Sequence, residues 1–140
     1  MIPFVIKSRL ILKKEDKILL LAQTTKNGGK FSLPGGTVEG GEFALETLIR
    51  ECEEEIGIHI APEDLELVHV LHKKKGGENR VTFYFKTQIY KGQIRVRETK
   101  KFRGVTWGDL YAMPAKTSST VKHVVKQLIL GEKYSQFSKK

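Results

Sequence analysis

A glycine-rich segment that leads directly into an amphipathic helix constrains the fold of this chain most strongly. Residues 31–42, FSLPGGTVEGGE, contain Pro34 and four glycines, which exclude a regular helix or a central strand. Positions 42–56 then carry apolar side chains at helical spacing, and Gly57 is placed to end the helix. The apolar stripe consists of Leu45, Leu48, Ile49, Cys52 and Ile56. The pattern predicts a helix over residues 42–56 that packs one face on a sheet.

Three glutamates of this predicted helix lie outside the apolar stripe. At about 100° per residue, Glu54 lies roughly 60° to one side of Glu51 and Glu55 roughly 40° to the other. Like charges at these spacings repel by about 0.2–0.5 kcal/mol per pair, so that a solvated acidic face is the simpler interpretation of the glutamates alone. A divalent cation would reverse this cost, because Mg²⁺ binds carboxylate oxygens.

The preceding loop favours the metal site over a solvated face. Glycine permits a close approach of the backbone, so a carbonyl oxygen of Gly35 or Gly36 could serve as a neutral ligand. Arg50 could pair through two hydrogen bonds with Glu42 or another carboxylate and hold it in place.

At this point the sequence resembles a known family. Residues 36–58 resemble the Nudix box, in which glycine, glutamates and an arginine recur at fixed spacings. The matching positions are Gly36, Glu42, Arg50, Glu51, Glu54, Glu55 and Gly57. Cys52 stands where the family usually has Ile, Leu or Val, and we interpret it as a packing residue. The lead-in at 31–34 and the later segment GVTWGDLYAMP resemble the family too. The resemblance implies a Nudix α/β/α sandwich, with a central mixed sheet and helices on both faces.

The resemblance also implies roles for individual residues. Glu51, Glu54 and Glu55 are expected to bind Mg²⁺, or alternatively Mn²⁺, assisted by Gly35 or Gly36. Glu51, Glu54 and Arg50 are expected to take part in catalysis. In similar enzymes the general base is a box glutamate or a glutamate on a later loop, and Glu98 is the later candidate here. The alternative for Glu98 is a loop carboxylate among basic neighbours.

The rest of the chain predicts a mixed α/β or α+β fold in a single domain, residues 1–131, followed by a flexible tail at 132–140. Strands are predicted at 4–13, 17–23, 65–71, 80–90, 93–97 and 104–107, with the first two forming a hairpin. A second helix is predicted at 117–130, capped by Ser119 or a neighbour. In the strand at 80–90, Thr82 and Tyr84 alternate with Phe83 and Phe85, so that one pair is expected to face the core and the other the cleft.

The charge balance narrows the class of partner. The chain has 25 Lys and Arg against 16 Asp and Glu, a net charge of +9, which favours anionic partners. No apolar run reaches the ~20 residues that cross a bilayer, and the opening residues do not form a signal peptide. With a single cysteine, the expected location is the cytoplasm, with no membrane partner.

The substrate class follows from the resemblance. The later half resembles nucleoside-triphosphate pyrophosphohydrolases of the MutT type, which release a nucleoside monophosphate and diphosphate. The substrate is therefore expected to be an ordinary or oxidised nucleoside triphosphate. The strand before the box ends at Gln23 without the family's arginine, so Lys26 or Lys30, together with Glu42, is expected to contact substrate.

Two alternatives remain open at this stage. One is hydrolysis at an RNA 5′ end, with the basic residues at 73–75 and 95–103 following phosphates, although nucleic acid is not the favoured partner. The other is a nucleotide- or RNA-binding Nudix module without activity. Both a monomer and a homodimer are compatible with the sequence.

Overall fold

The computed structural model describes residues 4–139, and within them the chain forms eight strands and two α-helices. They are β1 (Phe4–Lys14), β2 (Lys17–Gln23), β3 (Phe31–Ser32), β4 (Gly35–Thr37), α1 (Ala44–Ile56), β5 (Glu66–Lys75), β6 (Glu78–Thr87), β7 (Phe102–Asp109), α2 (Ser119–Ile129) and β8 (Tyr134–Lys139). Residues 1–3 and 140, which the predicted domain and tail include, lie outside the described residues.

Strand β1 is the centre of a mixed sheet. It pairs in parallel with β6 from Phe4 to Leu12, and in antiparallel with the short strand β4 at residues 7–9. Its last residues, Lys13 and Lys14, form the predicted hairpin with β2. The strand order is β3-β2-β1-β6-β5-β8, with β7 paired to β2. Strand β1 therefore contacts the glycine-rich segment along one edge and β6 along the other.

The two helices cover opposite faces of this sheet. Along β1, Leu10 and Leu12 pack in the same core as α1, whereas Ile11 packs in the core of α2. The predicted stripe residues Leu48, Cys52 and Ile56 are all fully buried in the first core. The side chains of β1 thus alternate between the two cores, as expected of a strand covered on both sides. The predicted α/β/α sandwich with a mixed central sheet is confirmed.

Both helices end close to their predicted bounds. Helix α1 begins at Ala44, two residues after the predicted start, and Gly57 ends it with φ of +72°. Helix α2 begins at Ser119, and the Ser118 side chain accepts a hydrogen bond from the Val121 N–H, so the cap is the neighbour of Ser119. No helix among residues 4–139 is both long and apolar enough to cross a bilayer.

The strand predicted at 93–97 is wrong. Two N–H groups of this segment donate to the end of α1, from Arg95 to the Ile56 carbonyl at 3.1 Å and from Arg97 to the Glu55 carbonyl at 2.8 Å. Carbonyls in the last turn of a helix lack partners within the helix. The segment satisfies them and so runs along the helix end instead of joining the sheet.

The predicted flexible tail at 132–140 instead contains a strand. Tyr134 to Lys139 forms strand β8, which pairs in parallel with β5 from Val70 to Lys75. The physical reason is that the outer edge of β5 offers unpaired backbone groups, which β8 satisfies. Phe137 packs against the α2 core, so β8 contributes apolar contacts as well as hydrogen bonds.

Candidate metal centre

Three carboxylates from two parts of the chain meet beside strand β4. Glu51 and Glu55 lie one turn apart on α1, and Glu98 comes from the loop before β7. One oxygen of each lies within 4.8 Å of the others. Two carboxylates of a predicted helix and a carboxylate from a distant loop thus share one site. Glu98 is the predicted later-loop glutamate, and it lies beside Glu51 and Glu55, two of the three predicted ligands.

Glu54 lies outside this cluster. Its side chain is half exposed and accepts a hydrogen bond from Arg50 at 3.2 Å. The reason is the helical geometry: Glu54 lies on the side of Glu51 away from the apolar stripe, whereas Glu55 lies on the side towards it. Burial of the stripe therefore turns Glu55 into the protein and Glu54 towards solvent.

Glu55 is the most buried of the three carboxylates. It is 3% exposed, and its Oε1 accepts a hydrogen bond from the Gly35 N–H at 2.9 Å. Burial raises the pKa of Glu55 to about 8, although the Gly35 N–H and the nearby Arg9 act in the opposite direction. Burial also raises the pKa of Glu51, against the influence of Arg50. A positive charge placed between these groups would favour their ionised forms.

Gly35 and Gly36 permit the contact between β4 and its neighbours. A Cβ on Gly36 would lie 2.7 Å from Cδ of Glu51, which is closer than real Cβ atoms approach. A Cβ on Gly35 would lie 2.0 Å from the Ser8 carbonyl oxygen, and its φ of +137° favours glycine. Both predicted glycines therefore line the site, Gly35 by donating its N–H and Gly36 by leaving room for Glu51.

Arg50 holds the acidic residues of the box together. Its Nε and Nη2 donate to the two oxygens of Glu42 at 2.7 and 3.0 Å, the paired geometry predicted from the sequence. Its Nη1 also donates to Glu51 at 3.1 Å and to Glu54. The hydrogen bonds from Arg50 lower the pKa of Glu42 to about 2. Glu42 thus positions Arg50, and it does not line the pocket that opens beside the carboxylates.

The oxygens of Glu98 differ in their partners. Oε2 lies 3.3 Å from the Lys101 ammonium, whereas Oε1 is buried and has no hydrogen-bond partner among residues 4–139. A buried carboxylate oxygen without a partner is costly. The raised pKa values of Glu51 and Glu55 make the cluster fit a hard divalent cation such as Mg²⁺ or Mn²⁺, and the unpartnered Oε1 of Glu98 could accept a hydrogen bond from water held there.

A pocket of about 350 Å³ opens beside the carboxylates. Its basic residues are Lys7, Arg9 and Lys101, and its remaining lining is Gln23, Ser32, Gly35, Gly36, Thr37, Glu39, Glu51, Glu55 and Phe102. Sequence reasoning missed Lys7 and Arg9. Their spacing of two within β1 was the available signal, because it places both on one face of the strand.

The predicted contacts from Lys26 and Lys30 are not found at this pocket. Lys26 is exposed on a short 3-10 turn, Thr25–Asn27, and Lys30 lines a separate depression with Arg103. The loop is tied elsewhere: the Thr24 N–H donates to the Lys101 carbonyl at 2.9 Å, and Asn27 donates to the Lys100 carbonyl at 3.3 Å. These bonds hold both lysines away from the carboxylates.

The alternating pairs of β6 separate as expected. Thr82 and Tyr84 line a second cleft on the α2 side, whereas Phe85 belongs to the α1 core and Phe83 packs against it. Trp107 packs against the same core.

Comparison with known proteins agrees with this geometry. The family model described as NUDIX domain matches residues 8–128. The Nudix hydrolase YvcI of Bacillus subtilis is 33% identical over 103 residues, which are 71% of this chain and 63% of YvcI. The 8-oxo-dGDP phosphatase NUDT18 of Homo sapiens is 35% identical over 77 residues, 54% of this chain and 22% of NUDT18. In both cases the matched region is less than two thirds of the relative.

Solved structures show the same fold. The MutT NUDIX hydrolase from Burkholderia pseudomallei superposes with a TM-score of 0.80 at 23% identity, covering 89% of this chain and 98% of that one. The fold of this chain is thus that of a known architecture.

Proposed function

Since the chain belongs to the Nudix hydrolase family, we propose that it hydrolyses a diphosphate linkage in a nucleoside-diphosphate derivative. The proposed substrate is a nucleoside triphosphate, ordinary or oxidised, and the products are the monophosphate and diphosphate. The observation that carries this proposal is the position of Glu51, Glu55 and Glu98 beside a pocket that also contains Lys7 and Arg9. A cation site next to an anion site suits a substrate bound through its phosphates.

A bound divalent cation would neutralise the diphosphate, stabilise charge in the transition state and acidify the attacking water. Glu51 and Glu55 are the proposed ligands, because both belong to the cluster and a positive charge would favour their ionised forms. Arg50 positions Glu51 from the side away from the pocket. Lys7 and Arg9 are proposed to bind phosphate oxygens and so to orient the substrate.

We propose Glu98 as the general base. Its Oε1 is buried and accepts no hydrogen bond from residues 4–139, so it can accept a proton from a water held beside Glu51 and Glu55. The water oxygen then bonds to phosphorus as the bridging P–O bond breaks. Lys101, 3.3 Å from Oε2, keeps the carboxylate in place.

The test separates cation binding from the chemical step. Mg²⁺ affinity is measured by calorimetry, and turnover is measured with a panel of ordinary and oxidised nucleoside triphosphates, ADP-ribose and 5′-triphosphate RNA. Glu51→Gln and Glu55→Gln are expected to lose Mg²⁺ affinity and turnover together. Glu98→Gln is expected to keep Mg²⁺ affinity and lose roughly 10²–10⁴-fold in kcat, the usual contribution of a general base.

Two variants of the same helix serve as comparisons. Glu53 lies on α1 but pairs with His59 at the surface, so Glu53→Gln is expected to leave both measurements unchanged. Glu54→Gln is expected to weaken Mg²⁺ affinity less than Glu55→Gln. If Glu98→Gln loses Mg²⁺ affinity as Glu55→Gln does, Glu98 is a ligand and not the base. If no compound is hydrolysed with Mg²⁺ or Mn²⁺, the proposed activity is wrong.

A further inference from the structure

A second cleft of about 310 Å³ adjoins the pocket beside the carboxylates. The two share Lys7, Arg9, Gln23 and Ser32, so they have a common wall. The second cleft runs from this wall towards the first residues of α2, the last residues of β5 and the first residues of β6. A substrate whose diphosphate lies beside the carboxylates would therefore extend into this cleft, which we call the distal cleft.

The lining of the distal cleft is strongly basic. Its cations come from four strands: Lys7 and Arg9 from β1, Lys73 and Lys75 from β5, Arg80 from β6, and Lys139 from β8. Among residues 4–139, no carboxylate side chain belongs to this lining. Of these six cations, Arg80 forms an ion pair within residues 4–139, and its partner is Glu78. None of the other five cations forms a salt bridge with a residue in the described part of the chain, although Arg9 lies near Glu55 and Lys7 near Glu78.

Two of these lysines are held where their charge is unfavourable. Lys73 is 9% exposed, and its ammonium donates to Oγ1 of Thr120 at 2.7 Å. Burial, with the nearby arginines adding repulsion, lowers the pKa of both Lys7 and Lys73 to about 8. A buried cation that is not paired costs free energy, and a bound anion would remove that cost.

The uncharged part of the lining also suits an anion better than a nucleobase. Ser118, Ser119 and Thr120 present hydroxyls at the N-terminus of α2, where the helix dipole is positive. The aromatic residue of the lining, Tyr84, is 2% exposed and so offers little surface on which a base could stack. Hydroxyls and cations together are typical of phosphate recognition.

We propose that the distal cleft binds a phosphate group that the substrate carries beyond its scissile diphosphate. The substrate class is then a small nucleotide with a second phosphorylated position on the sugar. A small molecule fits better than a nucleic acid, because six cations line a volume suited to one sugar phosphate, and a phosphate monoester carries more charge than a diester. This inference rests on the proposed function and deepens it.

The first arm of the test measures binding in EDTA, where no hydrolysis occurs. Two ligand pairs differ only in a second phosphorylated position on the sugar. Guanosine 5′-triphosphate 3′-diphosphate carries a 3′-diphosphate that GTP lacks, and NADPH carries a 2′-phosphate that NADH lacks. Calorimetry at fixed ionic strength is expected to give at least about tenfold tighter binding for the first member of each pair. Inorganic tripolyphosphate, which has no sugar, shows how far total charge alone strengthens binding. Equal affinities within a pair, once this effect of charge is subtracted, would overturn the proposal.

Variants at matched positions test whether the preference for the additionally phosphorylated ligand arises in the distal cleft. Lys73→Gln and Arg80→Gln are expected to remove most of the preference within each pair, while Lys73→Arg retains it. Lys74→Gln is the control, because Lys74 loses the same charge from the same strand but is exposed on the opposite face. Thermal melting verifies that each variant is folded. A preference that survives Lys73→Gln and Arg80→Gln, or is lost equally in Lys74→Gln, contradicts the assignment to this cleft.

The second arm measures hydrolysis with Mg²⁺ and keeps the two proposals distinct. Pair-selective binding without turnover of any compound would refute the proposed hydrolysis and leave the distal cleft intact. Turnover of GTP and NADH with the same kcat/KM as their phosphorylated partners would support the hydrolysis and refute the distal cleft. Preferential turnover of 5′-triphosphate RNA that depends on Lys73 would show that the cleft binds nucleic acid, which also refutes the proposal.

Discussion

Gly36 contributes to the candidate metal centre because it has no side chain. The space that a Cβ would fill is occupied by the carboxylate of Glu51, and the neighbouring Gly35 donates its N–H to Glu55. A glycine pair in a short strand thus sets the position of two carboxylates on a helix. The same pair brings β4 against β1 at Ser8 and Arg9.

We expect Gly36→Ala to displace Glu51 and to lower Mg²⁺ affinity and turnover by about 10–100-fold, as for residues that orient metal ligands. The new Cβ would lie 2.8 Å from Oε1 of Glu51, and the flexible side chain can move away at modest cost in stability. Calorimetry with Mg²⁺ measures the effect.

Gly40→Ala is the matched control, because no atom lies within 4 Å of the Cβ position at Gly40. Its Mg²⁺ affinity and turnover should equal those of the natural protein. An equal loss in the two variants would mean that alanine perturbs the loop in general and not Glu51 in particular.

The sequence predicted the clustered residues of the box better than their individual roles. Spacing within the helix predicted that Glu51 and Glu55 lie together and that Arg50 forms paired bonds with Glu42, and the structure has both features. The role of the glutamates as metal ligands stays a prediction. The spacing grouped Glu54 with them, because the distinction depends on which side of the arc is buried. The spacing of two indicates that Lys7 and Arg9 share a face of β1, but their position at the site depends on the pairing of β1 with β4, which is remote in sequence.

At the scale of elements, α2 closes the side of the distal cleft. Its apolar residues Val121, Val124 and Val125 are buried against the sheet, and its first turn faces the cations of β5 and β6. The bond from the Val121 N–H to Oγ of Ser118, at 3.2 Å, fixes where the helix begins. The cap therefore supports both the stability of the helix and the shape of the cleft.

We expect Ser118→Ala to lower the free energy of unfolding by about 1 kcal/mol, the usual cost of losing a serine cap. Urea unfolding followed by circular dichroism gives the value. Ser118→Asn, which keeps an acceptor at the cap, should restore most of the loss. If Ser118→Asn is as destabilising as Ser118→Ala, the side chain acts through packing and not through the hydrogen bond.

The elements that sequence reasoning placed incorrectly share one physical cause. Residues 93–97 have the composition of a strand, but the free carbonyls at the end of α1 take their N–H groups. The segment YSQFSK is polar enough to suggest a tail, but β5 offers it an unpaired edge. In both cases the partner is remote in sequence, whereas the long elements β1, β2 and α1 follow from their own periodicity.

The whole molecule combines a net charge of +9 with an uneven distribution of that charge. Acidic side chains are concentrated on α1, and cations from β1, β5, β6 and β8 converge on the distal cleft. Such convergence attracts anions but lowers the stability of the folded chain. Binding and stability are therefore opposed at Lys73.

We expect Lys73→Met to stabilise the protein at pH 7 by at least about 1 kcal/mol, because a pKa lowered on folding costs about 1.4 kcal/mol per unit. The folded pKa of Lys73 is about 8 and its ordinary value is 10.5. Below pH 8 both states are protonated and the cost is fully present. Between pH 8 and 10.5 the unfolded chain binds more protons, so the natural protein gains stability and the advantage of Lys73→Met disappears.

Urea unfolding in buffers free of phosphate, at intervals from pH 7 to 10.5, measures this difference. Lys74→Met, at an exposed position, should stay within about 0.5 kcal/mol of the natural protein at every pH. A constant difference between Lys73→Met and the natural protein across this range would show that the gain comes from added apolar contact and not from charge.

The alternation of side chains along β1 has a consequence for how such a chain can change over generations. Lys7 and Arg9 line the distal cleft near one end of the strand, whereas Leu10, Ile11 and Leu12 fill the two cores near the other. Substitutions at the first set therefore alter what is bound without disturbing what holds the sheet together. Substrate preference becomes a heritable trait that can diverge while the architecture is conserved, which is how one fold comes to serve many chemistries.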